Sequence, residues 1–254
     1  MTQRLDGTVA VVTGASSGIG EATALALSAH GAAVALVARR ADRLEALSRT
    51  IRGQGGTALV VQADVTDEYA AGEAIERTVA GLGRLDTLVN NAGMMLLGPA
   101  LDAPLTEWQR MVQINLMGLL YCAHAALPHL LRAAEDAPRR VADLVNISSV
   151  AGRVARSGSG VYNATKHGVG AFSEALRQEV TRRHVRVSLV EPGAVDTELS
   201  SHNRPQILDG IKRRFDSVER LRAADIADAV CYIVTRPRHM AVNEMLVRPT
   251  EQEE

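Results

Sequence analysis

Seven short apolar runs recur along this chain, and most are separated by stretches long enough to form a helix. They are TVAVVT (8–13), AAVALVA (32–38), TALVVQ (57–62), LDTLV (85–89), VADLVNI (141–147), VRVSLV (185–190) and NEMLV (243–247). Each is almost continuously apolar instead of alternating, which is the pattern of a strand buried on both faces. Between them, segments such as EATALALSAH (21–30) and EAIERTVAGL (73–82) space their apolar residues at the helical period. This alternation predicts a parallel sheet covered by helices on both sides. No linker, repeat or low-complexity tract divides the 254 residues, so the chain reads as one α/β domain. Two segments break the rhythm: a charged loop at 132–140, and a polar connection at 196–221 between the sixth strand and the last helix.

Aromatic residues make up only 3% of the chain against 46% hydrophobic residues, so Ala, Val, Leu and Ile must build the core. The net charge of −1 gives no bulk attraction to nucleic acid or to an anionic membrane, and neither is expected as a partner. The start, MTQRLDG, has no apolar leader, and no uncharged apolar run approaches the ~20 residues needed to cross a bilayer. The expected location is the cytoplasm. Cys122 and Cys231 lie in apolar surroundings and read as reduced core residues. The seven histidines are scattered and none has ligand spacing, so no metal is expected.

The first apolar run leads directly into TGASSGIG (13–20), which opens a helix. Gly14, Gly18 and Gly20 suit a phosphate-binding turn, giving tight reversal, close backbone approach and close helix–strand packing. The helix start adds free N–H groups and the positive end of a dipole. Farther on, VYNATKHG (161–168) places Tyr162 and Lys166 four residues apart, hence on one helical face. A nearby ammonium is expected to lower the tyrosine pKa toward working pH, making the phenol a usable acid or base.

The spacing Gly-x-x-x-Gly-x-Gly together with Tyr-x-x-x-Lys resembles the short-chain dehydrogenase/reductase family. The resemblance extends over essentially the whole chain. In the family's order follow Asp64 in ADVTD, NNAG (90–93), Asn115 in MVQINLMG, NISSVAG (146–152) and EPGAVDT (191–197). It implies a Rossmann-type, doubly wound parallel sheet of about seven strands. It also implies a cofactor half at roughly 1–140 and a catalytic and substrate half at roughly 141–254, with a lid at 196–221.

In Rossmann-type folds an acid at the end of the second strand selects NAD, and an arginine there accepts the 2′-phosphate of NADP. Here Ala38 stands in the acid's place, followed by Arg39 and Arg40, so NADP(H) is expected over NAD(H). On this reading Arg39→Asp reverses the preference for NADPH. The glycine turn itself carries no basic residue, only Ser16, Ser17 and Ile19 at the positions around Gly18.

The resemblance further implies that Tyr162 exchanges a proton with a carbonyl oxygen as hydride passes between nicotinamide and the carbonyl carbon. It has Lys166 hold the nicotinamide ribose. Ser148 and Ser149 end a strand and point opposite ways. The family's substrate-binding serine stands thirteen residues before the tyrosine, at Ser149, with Ser148 the less favoured choice. Asn115 matches an asparagine that holds a proton-relay water. Its other reading is a buried residue at a helix irregularity, and the two are compatible. Asp64 and Val65 are implied beside the adenine, Asn91 and Gly93 along the ribose, and Pro192, Gly193, Val195 and Thr197 at the nicotinamide end. Met95, in an apolar stretch, and Arg153 and Arg156, between Ser149 and Tyr162, are candidates for substrate contact.

The ending NEMLVRPTEQEE lacks the family's frequent glycine-rich finish. With MMLLGPA, ALPHLL and FSEALRQEV it resembles the branch of NADP-dependent 3-hydroxy acid dehydrogenases and the aldehyde reductase of clavulanic acid formation. The expected substrate is a small carbonyl or alcohol: an aldehyde, a ketone or a 3-hydroxy/3-oxo acid. A homo-oligomer, dimer or tetramer, is expected through helices near 104–131 and 161–183. The alternatives are a catalytically silent NADP-sensing protein and an epimerase or dehydratase on the same fold.

Overall fold

The first strand, β1 (Val9–Thr13), is buried at every residue, as its uninterrupted apolar run requires. It pairs on one side with β2 (Ala33–Ala38) and on the other with β4 (Thr87–Asn90), both parallel. The computed structural model describes residues 4–136, 138–215 and 218–253. Beyond β2 lies β3 (Ala58–Gln62), and beyond β4 follow β5 (Ala142–Ile147), β6 (Val185–Pro192) and β9 (Glu244–Val247). The result is a seven-stranded parallel sheet of order β3-β2-β1-β4-β5-β6-β9. Strand order reverses between β1 and β4, and a crevice opens beyond the strand C-termini at such a point.

Because side chains alternate along a strand, each sheet face has its own core. On one face Ala10, Val12, Val34 and Leu36 pack with α1 (Gly18–Ala29), α2 (Ala41–Gly53) and α8 (Ala223–Val234). On the other, Val11, Ala35, Leu88 and Leu144 pack with α3 (Glu68–Leu82), α5 (Gly118–Glu135) and α6 (Gly160–Val180). Helix ends follow local chemistry. Asp67 caps α3 by accepting from the Ala70 N–H at 2.7 Å, and Gly83 ends it at φ 88°. Asp225 accepts from the Arg222 N–H at the start of α8.

Three local features depart from the sequence reading. Helix α5 runs to Glu135, four residues into the expected charged loop. A π-turn (Gln113–Met117) joins α4 (Leu105–Val112) to α5. The 196–221 connection is also not a plain loop. Its two ends meet in a two-rung parallel ladder, β7 (Val195–Asp196) with β8 (Leu221–Arg222), and between them lie a 3₁₀ turn (Glu198–His202) and α7 (Pro205–Phe215).

The stretch Leu105–Glu135 is the one helical segment among the described residues long and apolar enough to cross a membrane. Its Cys122, Ala126 and Leu130 are buried against the sheet, so that apolarity belongs to the core. Cys122 and Cys231 are free and buried, and burial pushes both thiols up to about 12. Neither is expected to react with a thiol reagent at mildly alkaline pH in the folded protein, and both should react once denaturant is added. Colorimetric thiol titration with and without denaturant checks this.

Candidate active site

Thr13, the last residue of β1, organises the crevice. Its Oγ1 accepts from the backbone N–H groups of Asn91 (3.0 Å) and Ala92 (3.1 Å), which follow β4. Asn91 returns the contact, its Nδ2 donating to the carbonyls of Thr13 (3.0 Å) and Gly14 (3.4 Å). The chain must therefore pass close over itself here. Gly14 sits at φ 67°, and a Cβ on it would lie 2.8 Å from the Ala92 Cα. A Cβ on Gly20 would lie 2.3 Å from the Gly14 oxygen. Both positions exclude a side chain. Ser17, the residue before α1, makes no side-chain cap, so the first N–H groups of that helix face the crevice without one.

One end of the cleft is basic. The end of β2 leads through Ala38 and Arg39 to Arg40, just before α2. Arg40 reaches back over the glycine turn: Nε and Nη2 donate to Ser16 Oγ (3.1 and 2.9 Å), and Nη2 donates to Ser17 Oγ (2.8 Å). Arg39 points more outward, its side chain 64% exposed, with Nη1 3.8 Å from Asp64 Oδ2. Asp64 folds its own turn, accepting from the Thr66 N–H (3.1 Å) and hydroxyl (2.9 Å). Val65 lines the cleft beside it.

The other end gathers Ser149, Tyr162 and Lys166. On α6 the buried residues Tyr162, Lys166, Val169, Ser173 and Leu176 alternate at spacings of four and three, so they form one inward stripe. That stripe carries the phenol and the ammonium to the cleft together. Ser148 lines the cleft; the Ser149 hydroxyl does not, but it is close enough to the Tyr162 phenol to temper the rise in its pKa. It also accepts from the Ala151 N–H (3.1 Å) and lies 3.4 Å from the Pro192 carbonyl. The Ser148 hydroxyl is committed elsewhere, donating to the Lys166 carbonyl at 3.2 Å. Lys166 Nζ donates to the Ile147 carbonyl at 2.8 Å and stands 5.9 Å from the centre of the Tyr162 ring.

Burial pushes the Lys166 ammonium down to about 8. Burial also pushes the Tyr162 phenol above its ordinary value, and the Ser149 hydrogen bond offsets only part of that rise. The expected lowering of the phenol by Lys166 is therefore corrected. At this separation the ammonium does not outweigh desolvation, and Tyr162 stays protonated at neutral pH.

Asn115 lies in the π-turn, the kind of helix irregularity foreseen for it. Its Oδ1 accepts from the Met94 N–H (2.8 Å), and its Nδ2 donates to the Met94 carbonyl (2.9 Å) and the Thr165 hydroxyl (3.2 Å). The side chain thus staples the segment after β4 to α6. Gly93 runs between, where a Cβ would sit 3.1 Å from Asn115 Oδ1 and 4.0 Å from Lys166 Nζ.

Gly14, Ser16, Ser17, Gly18, Ile19, Arg39, Arg40, Asp64, Val65, Asn91, Gly93, Tyr162, Lys166 and Thr197 share one continuous cleft. Gly20 supports the turn from behind. Pro192, Gly193 and Val195 do not line the cleft. Gly193 and Ala194 are held by the tail, the Gly193 N–H on the Val247 carbonyl (2.7 Å) and the Ala194 N–H on Gln252 Oε1 (2.8 Å), while Val195 packs on the core.

None of the substrate candidates Met95, Arg153 and Arg156 lines this cleft; Met94 does, and both methionines belong to one apolar cluster with Leu96, Met111 and Tyr162. Arg153 is held by the buried Glu191 carboxylate (Nη2 to Oε2, 2.6 Å) and by Glu244, so its guanidinium is already neutralised. Arg156 is outside the cleft lining, its backbone N–H donating to Asn163 Oδ1 at 3.2 Å.

Sequence reasoning missed Ile114, Glu198, Leu199 and His202, which complete the cleft wall. Ile114 beside the singled-out Asn115 was the available signal. The others lie in the polar connection, whose path no local pattern fixes.

A family model for short chain dehydrogenases matches residues 8–208. An uncharacterised oxidoreductase of Staphylococcus aureus strain MRSA252 is 36% identical over 241 residues, covering 95% of this chain and 96% of that protein. Among solved structures, the closed form of a serine dehydrogenase complexed with NADP+ superposes with a TM-score of 0.88 at 31% identity, covering 97% of both chains. An alcohol dehydrogenase from the archaeon Thermococcus sibiricus, complexed with 5-hydroxy-NADP, gives 0.85 at 29% identity, covering 97% of this chain and 98% of that one. With the sheet order, and with the glycine turn, Tyr162 and Lys166 on a single crevice, these matches place the chain in the short-chain dehydrogenase family of oxidoreductases.

Proposed function

We propose that this protein is an NADP(H)-dependent oxidoreductase that interconverts a carbonyl compound and the corresponding alcohol, with Tyr162 as general acid and base. The observation that carries this reading is the meeting of Tyr162 and Lys166 at one end of a cleft whose other end is basic, with Ser149 beside the phenol. The residues fit a phosphorylated dinucleotide. Gly14 and Gly93 leave no room for side chains, the α1 start offers N–H groups to a pyrophosphate, and Arg40 with Ser16 and Ser17 offers donors to a 2′-phosphate. NADP complexes among the solved relatives agree with it. The cofactor, when bound, supplies or accepts the hydride.

The chain's own groups do the rest. Ser149 holds the carbonyl oxygen beside the Tyr162 hydroxyl, which releases its proton to that oxygen during reduction. The phenolate left behind is stabilised by the Lys166 ammonium. Asn115 keeps the segment after β4 at the right distance from α6, consistent with its proposed place in the proton path. Arg153 is neutralised, so a substrate carboxylate is not read through it. We place the protein in the cytoplasm as a homo-oligomer in contact through the outer faces of α5 and α6.

The test is NADPH oxidation with a panel of aldehydes, ketones and 3-oxo acids. Intact NADPH binding without turnover on any of them would return the reading to a silent sensor. The pH profile carries a sign. An exposed lysine keeps its proton past pH ~10, whereas Lys166 loses its proton near about 8. Reduction is therefore expected to slow above that point, as the charge that stabilises the phenolate disappears. Oxidation needs the Tyr162 phenolate, which burial opposes, so it should quicken into the alkaline range. Initial rates in both directions, with cofactor saturating, check both slopes.

A further inference from the structure

Glu198 follows Thr197 directly and opens the 3₁₀ turn on the cleft wall opposite the glycine turn. Its two carboxylate oxygens are divided between two guanidiniums. Oε2 accepts from Arg40 Nη1 at 3.0 Å, and Oε1 accepts from Arg43 Nη1 at 2.7 Å. Arg40 and Arg43 lie three residues apart at the start of α2, so one carboxylate reaches both. The contact closes across the cleft between parts of the chain 158 residues apart. These two cations hold the Glu198 carboxyl at about 2, so it is ionised wherever the protein would work.

We propose that Glu198 sets how strictly this protein separates NADP(H) from NAD(H), by competing with the 2′-phosphate for Arg40 and Arg43. This rests on the NADP(H) reading above. The competition is for donors. A 2′-phosphate at the end of β2 would need Arg40, whose Nη1 already serves the carboxylate. A phosphate and a carboxylate on the same guanidinium would also repel each other. The carboxylate must therefore swing away before the phosphate can pair fully with Arg40.

A ribose 2′-hydroxyl meets the opposite situation. It is a donor, and an acidic side chain is the usual partner of the NAD ribose. Ala38 offers none at the end of β2, but Glu198 brings one from the facing wall. The side chains of Arg40, Arg43 and Glu198 are 41%, 43% and 45% exposed, so the pairs are weak enough to exchange. Glu198 thus makes the discrimination softer than the two arginines would make it alone.

The experiment is isothermal titration of the full chain and of Glu198→Gln with 2′,5′-ADP and with ADP, at low and at raised salt. Glu198→Gln is expected to bind 2′,5′-ADP about 5-fold more tightly than the parent at low salt, with the gain shrinking as salt screens the charges. ADP binding should stay equal or weaken. Glu198→Ala should shift the same way, which separates loss of the charge from any new contact made by the amide. A parent that prefers 2′,5′-ADP, with variants that bind it no better, would overturn this inference and leave the NADP(H) reading standing. No preference for 2′,5′-ADP over ADP in the parent or in either variant would overturn both.

Discussion

Tyr162→Phe is expected to lower kcat by about 10³-fold while leaving NADPH affinity within about twofold of the parent. The substitution removes one oxygen and keeps the ring. Tyr162 is 6% exposed and belongs to an apolar cluster with Met94, Leu96 and Met111, so the fold and the cleft should survive. What is lost is the phenol proposed to exchange a proton beside the Ser149 hydroxyl. Circular dichroism, NADPH titration and steady-state rates on one preparation separate these effects. Activity within tenfold of the parent, with the fold intact, would remove Tyr162 from the proton-transfer role. The complementary Ser149→Ala variant should raise the Tyr162 phenol further, because its hydrogen bond is what offsets burial.

Arg40→Ala is expected to weaken NADPH binding by about 10- to 100-fold, the loss of charge-assisted hydrogen bonds to a phosphate, with NADH changed far less. The sequence offers both Arg39 and Arg40 to the 2′-phosphate, and their geometry differs. Arg39 extends to solvent near Asp64, whereas Arg40 turns inward over Ser16 and Ser17. Arg39→Ala should therefore have the smaller effect of the two. Fluorescence titration with both cofactors decides the matter. An equal loss for NADPH and NADH on Arg40→Ala would mean that Arg40 acts by shaping the glycine turn, and the phosphate-reading role would fall.

The sheet was legible because its central strands are buried on both faces and carry little but apolar residues, and even the partly exposed edge strands β3 and β9 keep short apolar runs. The glycines were legible for a related reason, since close backbone approach leaves few residue types acceptable, whereas the part played by Thr13 emerged only from the structure. The Tyr162–Lys166 pair followed from helical spacing alone. What escaped were contacts between distant segments. Arg153 looked like a free cation because Glu191 and Glu244, which neutralise it, lie 38 and 91 residues away. Glu198 looked like part of a polar loop for the same reason. No pattern in MMLLG tells that Met94 is the side chain that faces the cleft. The phenol's pKa was misjudged because spacing reveals the ammonium but not the depth of burial.

The short β7–β8 ladder gives the 196–221 connection an unusual property. Its two ends are pinned side by side, Val195 against Leu221 and Asp196 against Arg222, apart from the main sheet. Whatever lies between them is a cassette whose length is nearly free, since doubling a closed loop costs only about 0.6 kcal/mol. A lineage could exchange this cassette to accept a new substrate without disturbing a strand of the large sheet. Glu198 travels inside it. Such a graft would then reset the response to the 2′-phosphate in the same stroke, so that substrate range and redox partner would be inherited as one unit.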